Sequence, residues 1–304
     1  MADKHIKLIV TGDSEKKSLH TSLKKCFPLR TVQGDLVVWD TPRKAHGVTG
    51  YRFNANSPPS SSMTALVDVM FVELLTSKTH NGVTPDLVIV IDDVELGNLG
   101  QEGIVVKAFQ EAVKAKLDSL RANHSAVNLQ RIQLRVHACC SFHLLCPMVE
   151  SYFFADPATL AVGGVPLTVS PSLVHPSNVE KFDATPDENP NWQTLYRAEN
   201  ARKQLKDTWW RTECHPKRYL THLLSISNVA EYQETVLGAK MIEATNWAAV
   251  AKSETDSPIV SAFLEDIWDW FGIPPTFGQF LGQSSTATYR VRTTPPNQRL
   301  LRNI

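Results

Sequence analysis

The sequence predicts an α/β protein: a mainly parallel sheet of about four strands with helices on both faces, followed by a mainly helical C-terminal half. In residues 1–146, short apolar segments alternate with longer segments of helical periodicity, and this alternation implies βαβ units with right-handed crossovers. The segment 87–91 is apolar throughout, as expected of a strand covered on both faces. A chain of 304 residues is long enough for two modest domains.

The elements of the first half follow from the spacing of apolar residues. Helices are predicted at 15–27 and 103–121, and a third helix follows a polar loop and carries Leu66, Val69, Met70 and Leu74 on one side. Asp13 or Ser14 is the predicted N-cap of the first helix, because short polar side chains accept hydrogen bonds from the first turn. Strands are predicted at 5–10, 35–39, 87–91 and 131–138.

The second half, residues 147–304, differs in character. It begins with a helix-like segment and continues with an irregular connection at 161–197, which is rich in glycine and proline. Further helices follow, and the last of them is predicted to end before Gly272. The tail 284–304 contains four arginines and no acid. Two interpretations stay open for this tail: a frayed terminus, or an arm that binds phosphate or a partner.

Composition narrows the classes of function. Lysine plus arginine equals aspartate plus glutamate at 31 each, so the formal charge is zero and any nucleic-acid binding needs a local basic patch. Five cysteines in a chain of this length do not indicate a disulfide framework, and we expect buried thiols at Cys139 and Cys140. Lys4, Lys7 and Asp13 interrupt the apolar residues at the N-terminus, so a cytoplasmic protein is expected.

Two acidic strand ends carry the functional prediction. The third predicted strand ends in Asp92, Asp93 and Glu95, and the first strand is followed by Asp13 and Glu15. Ligands of open α/β sheets bind at the carboxyl ends of the strands, so these acids face the usual site. Clustered carboxylates are hard oxygen ligands suited to Mg²⁺ or Mn²⁺. The alternative is that they only terminate strands and cap turns.

Several short motifs resemble those of known proteins. The segments 10–15 and 91–95 resemble the two acidic motifs of the Toprim fold, which occurs in topoisomerases, primases and overcoming-lysogenization-type nucleases. More closely, the whole chain looks like a bacterial Toprim-like family of uncharacterised function found in restriction and phage-defence loci. The segments that carry this closer resemblance are 147–157, 215–220, 232–239 and 301–304.

The resemblance implies a metal-dependent nuclease of an anti-phage defence system. Genes of this family often lie beside an ABC- or SMC-type ATPase, so such an ATPase is the implied partner, and DNA or RNA is the implied substrate. A metal ion at the site would polarise a phosphoryl oxygen and activate water for phosphodiester hydrolysis. No membrane partner is expected.

Each candidate residue has a role under this hypothesis. Asp93 is expected to bind the metal and to take part in catalysis with Glu15 and Glu150. Either of these two glutamates could hold a second ion or act as a base. Lys217 and Arg218 are expected to contact phosphate. As alternatives, Glu150 caps a turn or pairs with an arginine, and the two basic residues are simply solvated. The predicted metal ligands are Asp13, Asp92, Asp93 and Glu95.

One position departs from the Toprim pattern. Thr11 stands where that fold places its glutamate, and a threonine cannot act as a carboxylate ligand or a general base. Asp13 or Glu15 could reach the same space, although a shift along the chain changes where a side chain points. The second hypothesis is therefore a catalytically degenerate Toprim-like subunit that docks on a defence ATPase or another partner and regulates it.

Overall fold

The computed structural model describes residues 3–54, 57–76, 84–184, 215–226, 232–251, 257–272, 292–294, 298–300 and 304. In its first half, strands and helices alternate as predicted. The strands are β1 (Asp3–Val10), β2 (Leu36–Trp39), β3 (Arg43–Lys44), β4 (Leu87–Asp93) and β5 (Cys140–Leu145). The helices are α1 (Asp13–Lys24), α2 (Ser61–Leu75), α3 (Glu102–Leu120) and α4 (Ala126–Cys139).

The rest of the described chain is mostly helical. Its α-helices are α5 (Pro157–Gly163), α6 (Pro216–Ser225), α7 (Ala239–Ala244), α8 (Trp247–Val250) and α9 (Pro258–Phe271). The 3₁₀ turns are Leu96–Asn98, Val149–Ala155 and Val179–Lys181, and Glu234–Gly238 is a π-helical turn. Two short strands, β6 (Arg292–Thr294) and β7 (Gln298–Leu300), pair antiparallel near the end of the chain.

The main sheet is parallel, which confirms the predicted α/β class. Its strand order is β2-β1-β4-β5, and β3 pairs with the end of β1. Helix α1 packs with one apolar face of the sheet, through Leu19 and Leu23, whereas α2 packs with the other face, through Met63 and Leu66. The direction of winding therefore reverses between β1 and β4, and the carboxyl ends of these two strands form the topological switch point of the sheet.

The C-terminal part covers the same face of the sheet as α1. Phe153 and Phe263 belong to one buried apolar cluster with Leu8 and Ile89 of the central strands. Helices α2, α3 and α4 bury the opposite face, where Phe109 stacks on Phe142 of β5 with ring centroids 4.0 Å apart. The predicted domain boundary at residue 146 lies just after β5, and the division into two folding units stays a prediction.

Glu180 anchors the irregular connection to this C-terminal part. Its two carboxylate oxygens accept hydrogen bonds from the backbone N–H groups of Ile259 and Val260, at 3.0 and 2.8 Å, and so cap helix α9. The hydroxyl of Tyr152 also donates to Glu180 at 3.1 Å. Burial raises the pKa of Glu180 to about 7, although all three donors favour its charged form. The connection is thereby tied to the first turn of a buried helix.

The predicted strand at 131–138 is wrong, because these residues lie in α4 and the strand begins at Cys140. Ile132, Leu134 and Val136 alternate with polar residues, which imitates a strand. In the helix, Ile132, Val136 and Cys139 share one side, at spacing i, i+4 and i+7, and pack on the second apolar cluster, whereas Leu134 is exposed. Cys139 and Cys140 are therefore not neighbours on one strand, although Cys140 is a buried thiol as expected.

Smaller differences concern the ends of elements. Helix α1 is capped by Gly12, not by Asp13 or Ser14, because the Ser14 hydroxyl donates to Glu15 and the Asp13 carboxylate pairs with Lys44. Helix α9 ends before Gly272, as predicted. Residues 185–197 of the irregular connection lie outside the described residues, and so do the side chains of Arg290, Arg292, Arg299 and Arg302 in the tail.

No helix in the described ranges is long and apolar enough to cross a membrane.

Candidate acidic site at the switch point

Asp92 ties the carboxyl ends of β1 and β4 together. Its Oδ1 accepts a hydrogen bond from the hydroxyl of Thr11 at 2.6 Å, and its Oδ2 accepts one from the backbone N–H of Val48 at 2.9 Å. The N–H of Asp93 also donates to Oδ1, at 3.0 Å. Burial raises the pKa of Asp92 to about 7 in spite of these three donors. Asp92 therefore holds the strand ends in place, and its predicted metal-binding role stays a prediction.

Asp93, the last residue of β4, lies at the centre of a group of charges. Its Oδ1 accepts a hydrogen bond from the backbone N–H of Val149 at 3.1 Å. Burial raises the pKa of Asp93 well above its usual range, and the negative charges of Glu15, Glu95 and Glu150 raise it further. Lys217 acts in the opposite direction. Because Val149 begins the turn that carries Glu150, this hydrogen bond holds the end of β4 beside that turn.

Glu15 reaches the site by folding back over the start of its own helix. It lies in the first turn of α1 and is 4% exposed. The hydroxyl of Ser14 donates to its Oε2 at 2.7 Å. A Cβ atom on Gly12 would collide with the Glu15 carboxylate, so the glycine leaves the space that this carboxylate takes. Burial raises the pKa of Glu15. Glu15, and not Thr11, thus supplies a buried carboxylate beyond the first strand, and its charge raises the pKa of Asp93.

Glu150 enters the site from the 3₁₀ turn that follows β5. The side chain is fully buried, and its Oε1 accepts a hydrogen bond from the hydroxyl of Tyr232 at 3.0 Å. Among the described residues, Oε2 has no hydrogen-bond partner. Burial raises the pKa of Glu150 to about 7, the attraction of Lys217 opposes this shift, and repulsion from Glu15 and Glu234 supports it. Glu150 is therefore a carboxyl group that titrates near neutral pH.

Lys217 places a positive charge among these acids. It lies in the first turn of α6, which is capped by the ring of His215 and begins with Pro216. Its Nζ donates to Oε2 of Glu234 at 2.8 Å and lies 3.6 Å from Oε1 of Glu150. Burial lowers the pKa of Lys217, but the two carboxylates outweigh it and raise the pKa above its usual value. The predicted phosphate-binding lysine is thus held by acids in this structure.

Tyr232 and Glu234 belong to the site although no spacing rule in the sequence predicted them. The π-helical turn Glu234–Gly238 follows Tyr232, and such turns are rare and frequently occur at functional sites. A Cβ atom on Gly238 would collide with the Tyr232 hydroxyl, so glycine allows the ring to approach Glu150. The available signal was the segment 232–239 itself, which resembles a motif of the Toprim-like family.

Glu95 is strained at the edge of the site. Its backbone has φ of 62° and ψ of 152°, a region that residues with a side chain rarely adopt. The Glu95 N–H donates to the carbonyl of Pro147 at 2.7 Å, and the Cys146–Pro147 peptide bond is cis. Strain of this kind costs about 1–3 kcal/mol and clusters at functional sites. The negative charge of Glu95 raises the pKa of Asp92 and that of Asp93.

Asp13 and Arg218 are the remaining predicted site residues. The carboxylate of Asp13 is exposed and pairs with Lys44 at 2.6 Å, and this pairing lowers the pKa of Asp13. Arg218 follows Lys217 in α6 and is half-buried. The roles of Asp13 as a metal ligand and of Arg218 as a phosphate contact stay predictions. Asp156, in contrast, caps α5 by accepting hydrogen bonds from the Ala158 N–H and the Thr159 hydroxyl.

The donor chemistry of the site suits a hard divalent cation. Carboxylate oxygens are the ligands that Mg²⁺ and Mn²⁺ prefer, and the unpartnered Oε2 of Glu150 shows that the buried acids are not fully satisfied by the described residues. Within the same residues, however, no three His, Cys, Asp or Glu side chains are arranged as a group that could hold a metal ion. The carboxylates are gathered here, but they do not form a finished three-ligand set.

Comparisons with known proteins give no match. No protein-family model matches the chain, no curated protein matches it, and no solved structure matches it. The resemblance to the Toprim-like family therefore depends on the quoted motifs alone. Three of these motifs, the segments 147–157, 215–220 and 232–239, supply Glu150, Lys217 and Tyr232 respectively, and Glu150 contacts both of the other two side chains.

Proposed function

We propose that the protein is a Toprim-like nuclease that depends on a divalent metal and hydrolyses phosphodiester bonds. The observation that supports this most strongly is the position of the acidic group. Asp93 ends β4, Glu15 lies in the helix that follows β1, and Glu150 lies in the turn that follows β5, so each carboxylate lies at or just beyond the carboxyl end of a strand, where α/β proteins bind ligands. Neither a strand terminator nor a turn cap needs carboxylates from three elements.

The residues of the site divide into distinct roles. Asp93 and Glu15 would hold Mg²⁺ or Mn²⁺, and a bound ion supplies Lewis-acid polarisation of a phosphoryl oxygen and an activated water. Glu150 suits the role of general base, because its pKa of about 7 lets it accept a proton near neutral pH. Lys217 contributes positive charge for a phosphate. Asp92 positions Asp93 through the strand-end hydrogen bonds.

We further propose that the nuclease acts in the cytoplasm as part of an anti-phage defence system, under the control of an ABC- or SMC-type ATPase. The support for this part is the resemblance of the motif segments. Substrates in such a setting are DNA or RNA. Pull-down from the native host tests the partner directly, because an ATPase must be among the retained proteins.

The catalytic proposal is tested by cleavage assays on duplex DNA, single-stranded DNA and RNA with Mg²⁺ or Mn²⁺. Asp93→Asn and Glu150→Gln keep the side-chain size and should reduce cleavage by at least about a hundredfold, the usual range for loss of an acid–base group. Asp13→Asn is the matched control, since Asp13 is an acid near the same strand end that pairs with Lys44 at the surface. Cleavage that survives Asp93→Asn but not Asp13→Asn would contradict the proposal.

A second candidate is a catalytically degenerate subunit that regulates a defence ATPase. Two observations favour it. The Thr11 hydroxyl donates a hydrogen bond to Asp92, and the Lys217 ammonium partly neutralises Glu150 and Glu234. This candidate predicts that Asp93→Asn and Glu150→Gln retain defence against phage in cells and that the purified protein cleaves nothing. Loss of defence in the same variants, with the fold retained, would exclude it.

A further inference from the structure

Lys217 lies inside the acidic group, whereas a lysine that only contacts substrate phosphate is expected at its rim. Its Nζ is 2.8 Å from Oε2 of Glu234 and 3.6 Å from Oε1 of Glu150, and its charge also acts on Glu15 and Asp93. The ammonium therefore occupies the space where the negative charges of several elements meet. Such a space is where a bound cation gains most from the surrounding carboxylates.

One ammonium does not satisfy the group. Two carboxylates, those of Glu150 and Glu234, pair with this single ammonium, and the negative charge of Glu15 acts on Glu150 as well. Independently of this charge count, Oε2 of Glu150 is fully buried and has no hydrogen-bond partner in the described part of the chain. A buried acceptor without a partner is unfavourable, and a second positive charge or donor is expected at this point.

The position of Lys217 also allows its side chain to leave the site. About a third of its side chain is exposed, so the ammonium can move to solvent by rotation of its four-carbon stem. It lies in the first turn of α6, where the helix dipole disfavours a positive charge. Only Glu234 and Glu150 pair with it among the ion pairs of the described residues. The ammonium is held by these acids and not by its own helix.

We propose that Lys217 is a built-in competitor of the divalent cation: it fills the acidic site in the metal-free protein and swings outward when Mg²⁺ or Mn²⁺ binds. This inference rests on the proposed function, since it concerns the regulation of the same site. It predicts a site that stays neutralised at low metal concentration and becomes active only when the metal displaces the lysine. The displaced ammonium then lies at the rim, where a phosphate would approach.

Titration calorimetry with Mn²⁺ tests the competition on wild type and on Lys217→Met. Lys217→Met removes the positive charge that the ion must displace, so Mn²⁺ binding should tighten by at least about tenfold. Lys116→Met is the matched control: Lys116 pairs with Asp68 at 2.7 Å, its side chain is 31% exposed compared with 32% for Lys217, and it lies on the opposite face of the sheet. This control should bind Mn²⁺ like wild type.

The outcomes separate this inference from the proposed function. If Lys217→Met binds Mn²⁺ no more tightly than wild type does, the competition is wrong, although the protein still has a metal site. If neither protein binds Mn²⁺, the proposed function fails and the inference fails with it. Binding by Lys217→Met alone supports complete blockage by the lysine.

A measurement on the wild-type protein covers the case in which Lys217→Met does not fold. Lysine acetylation by a hydroxysuccinimide ester, followed by mass spectrometry, reports how accessible each amine is. Saturating Mn²⁺ should raise the acetylation rate of Lys217 severalfold and leave that of Lys116 unchanged. If the acetylation rate of Lys217 does not change although Mn²⁺ is shown to be bound, the proposal is wrong.

Discussion

Glu95 offers the sharpest quantitative test of the site, because its strain and its charge can be separated by substitution. Glycine adopts φ of 62° and ψ of 152° without a steric penalty, so Glu95→Gly should recover strain of about 1–3 kcal/mol. The added freedom of glycine in the unfolded chain offsets about 0.5–1 kcal/mol of this gain. A net stabilisation of about 1 kcal/mol remains, which corresponds to a rise in Tm of about 1–2 °C in a chain of 304 residues.

Glu95→Ala isolates the strain from the charge. Both variants remove the carboxylate that raises the pKa of Asp92 and Asp93, but only glycine relieves the backbone. Glycine should therefore be more stable than alanine by about 1 kcal/mol, the reverse of the order in ordinary backbone. Urea unfolding followed by circular dichroism measures the difference. An alanine variant that equals or exceeds the glycine variant in stability would refute the reasoning, and unchanged metal-dependent cleavage in both would remove Glu95 from the site.

Three further predictions follow from neighbouring residues. Gly12→Ala should place a Cβ against the Glu15 carboxylate, destabilise the fold by about 1–3 kcal/mol and lower activity, as measured by urea unfolding and cleavage. Thr11→Val should remove one of the three donors to Asp92 and cost about 1–3 kcal/mol, because a buried carboxylate oxygen loses the shorter of its two hydrogen bonds. Burial raises the pKa of Glu150 from 4.5 to about 7, so between these pH values the folded state retains a proton that the unfolded chain releases. The free energy of unfolding should therefore fall as pH rises from about 4.5 to 7, by at most about 3 kcal/mol for this group.

Each of these predictions has its own control. Gly47→Ala places a Cβ at an ordinary distance of 3.6 Å from Oδ1 of Asp92 and should be tolerated, so equal effects at Gly12 and Gly47 would contradict the close approach. Thr11→Ser keeps the hydroxyl and should restore most of the loss. Glu150→Gln should flatten the pH dependence of Tm between about pH 4.5 and 7 without abolishing it, because Asp92 titrates in the same direction. An unchanged slope in this variant would mean that Glu150 is not a source of the effect.

The fold was predictable because the apolar residues of most helices and strands recur with one unambiguous period. The segment 87–91 is apolar at every position and forms the buried strand β4, and Phe109 and Val113 share the buried side of α3. The error at 131–138 arose where both periods fit the same residues. There, the apolar residues of an amphipathic helix also alternate, and the tertiary contacts of Ile132 and Val136 decide in favour of the helix.

The site was predictable only in part. Asp93 and Glu15 follow strands, so the rule for parallel sheets brought them to one edge. Tyr232 contacts Glu150, which lies more than 80 residues away along the chain. No local spacing in the sequence encodes such a contact, so Tyr232 and Glu234 were not predicted. The separation of Asp13 from Glu15 depends on Lys44 and on the glycine at position 12, which lets Glu15 fold inward. The strain at Glu95 is a backbone property that composition does not report.

The most direct measurement is a crystal structure with Mn²⁺, in which the anomalous signal locates the ion. The predicted result is a peak at bonding distance from the carboxylate oxygens of Asp93 and of Glu15 or Glu150, with the Lys217 ammonium displaced towards solvent. A peak at the surface beside Asp13, or none at saturating Mn²⁺ with Lys217 still paired to Glu150 and Glu234, would contradict the metal-dependent site.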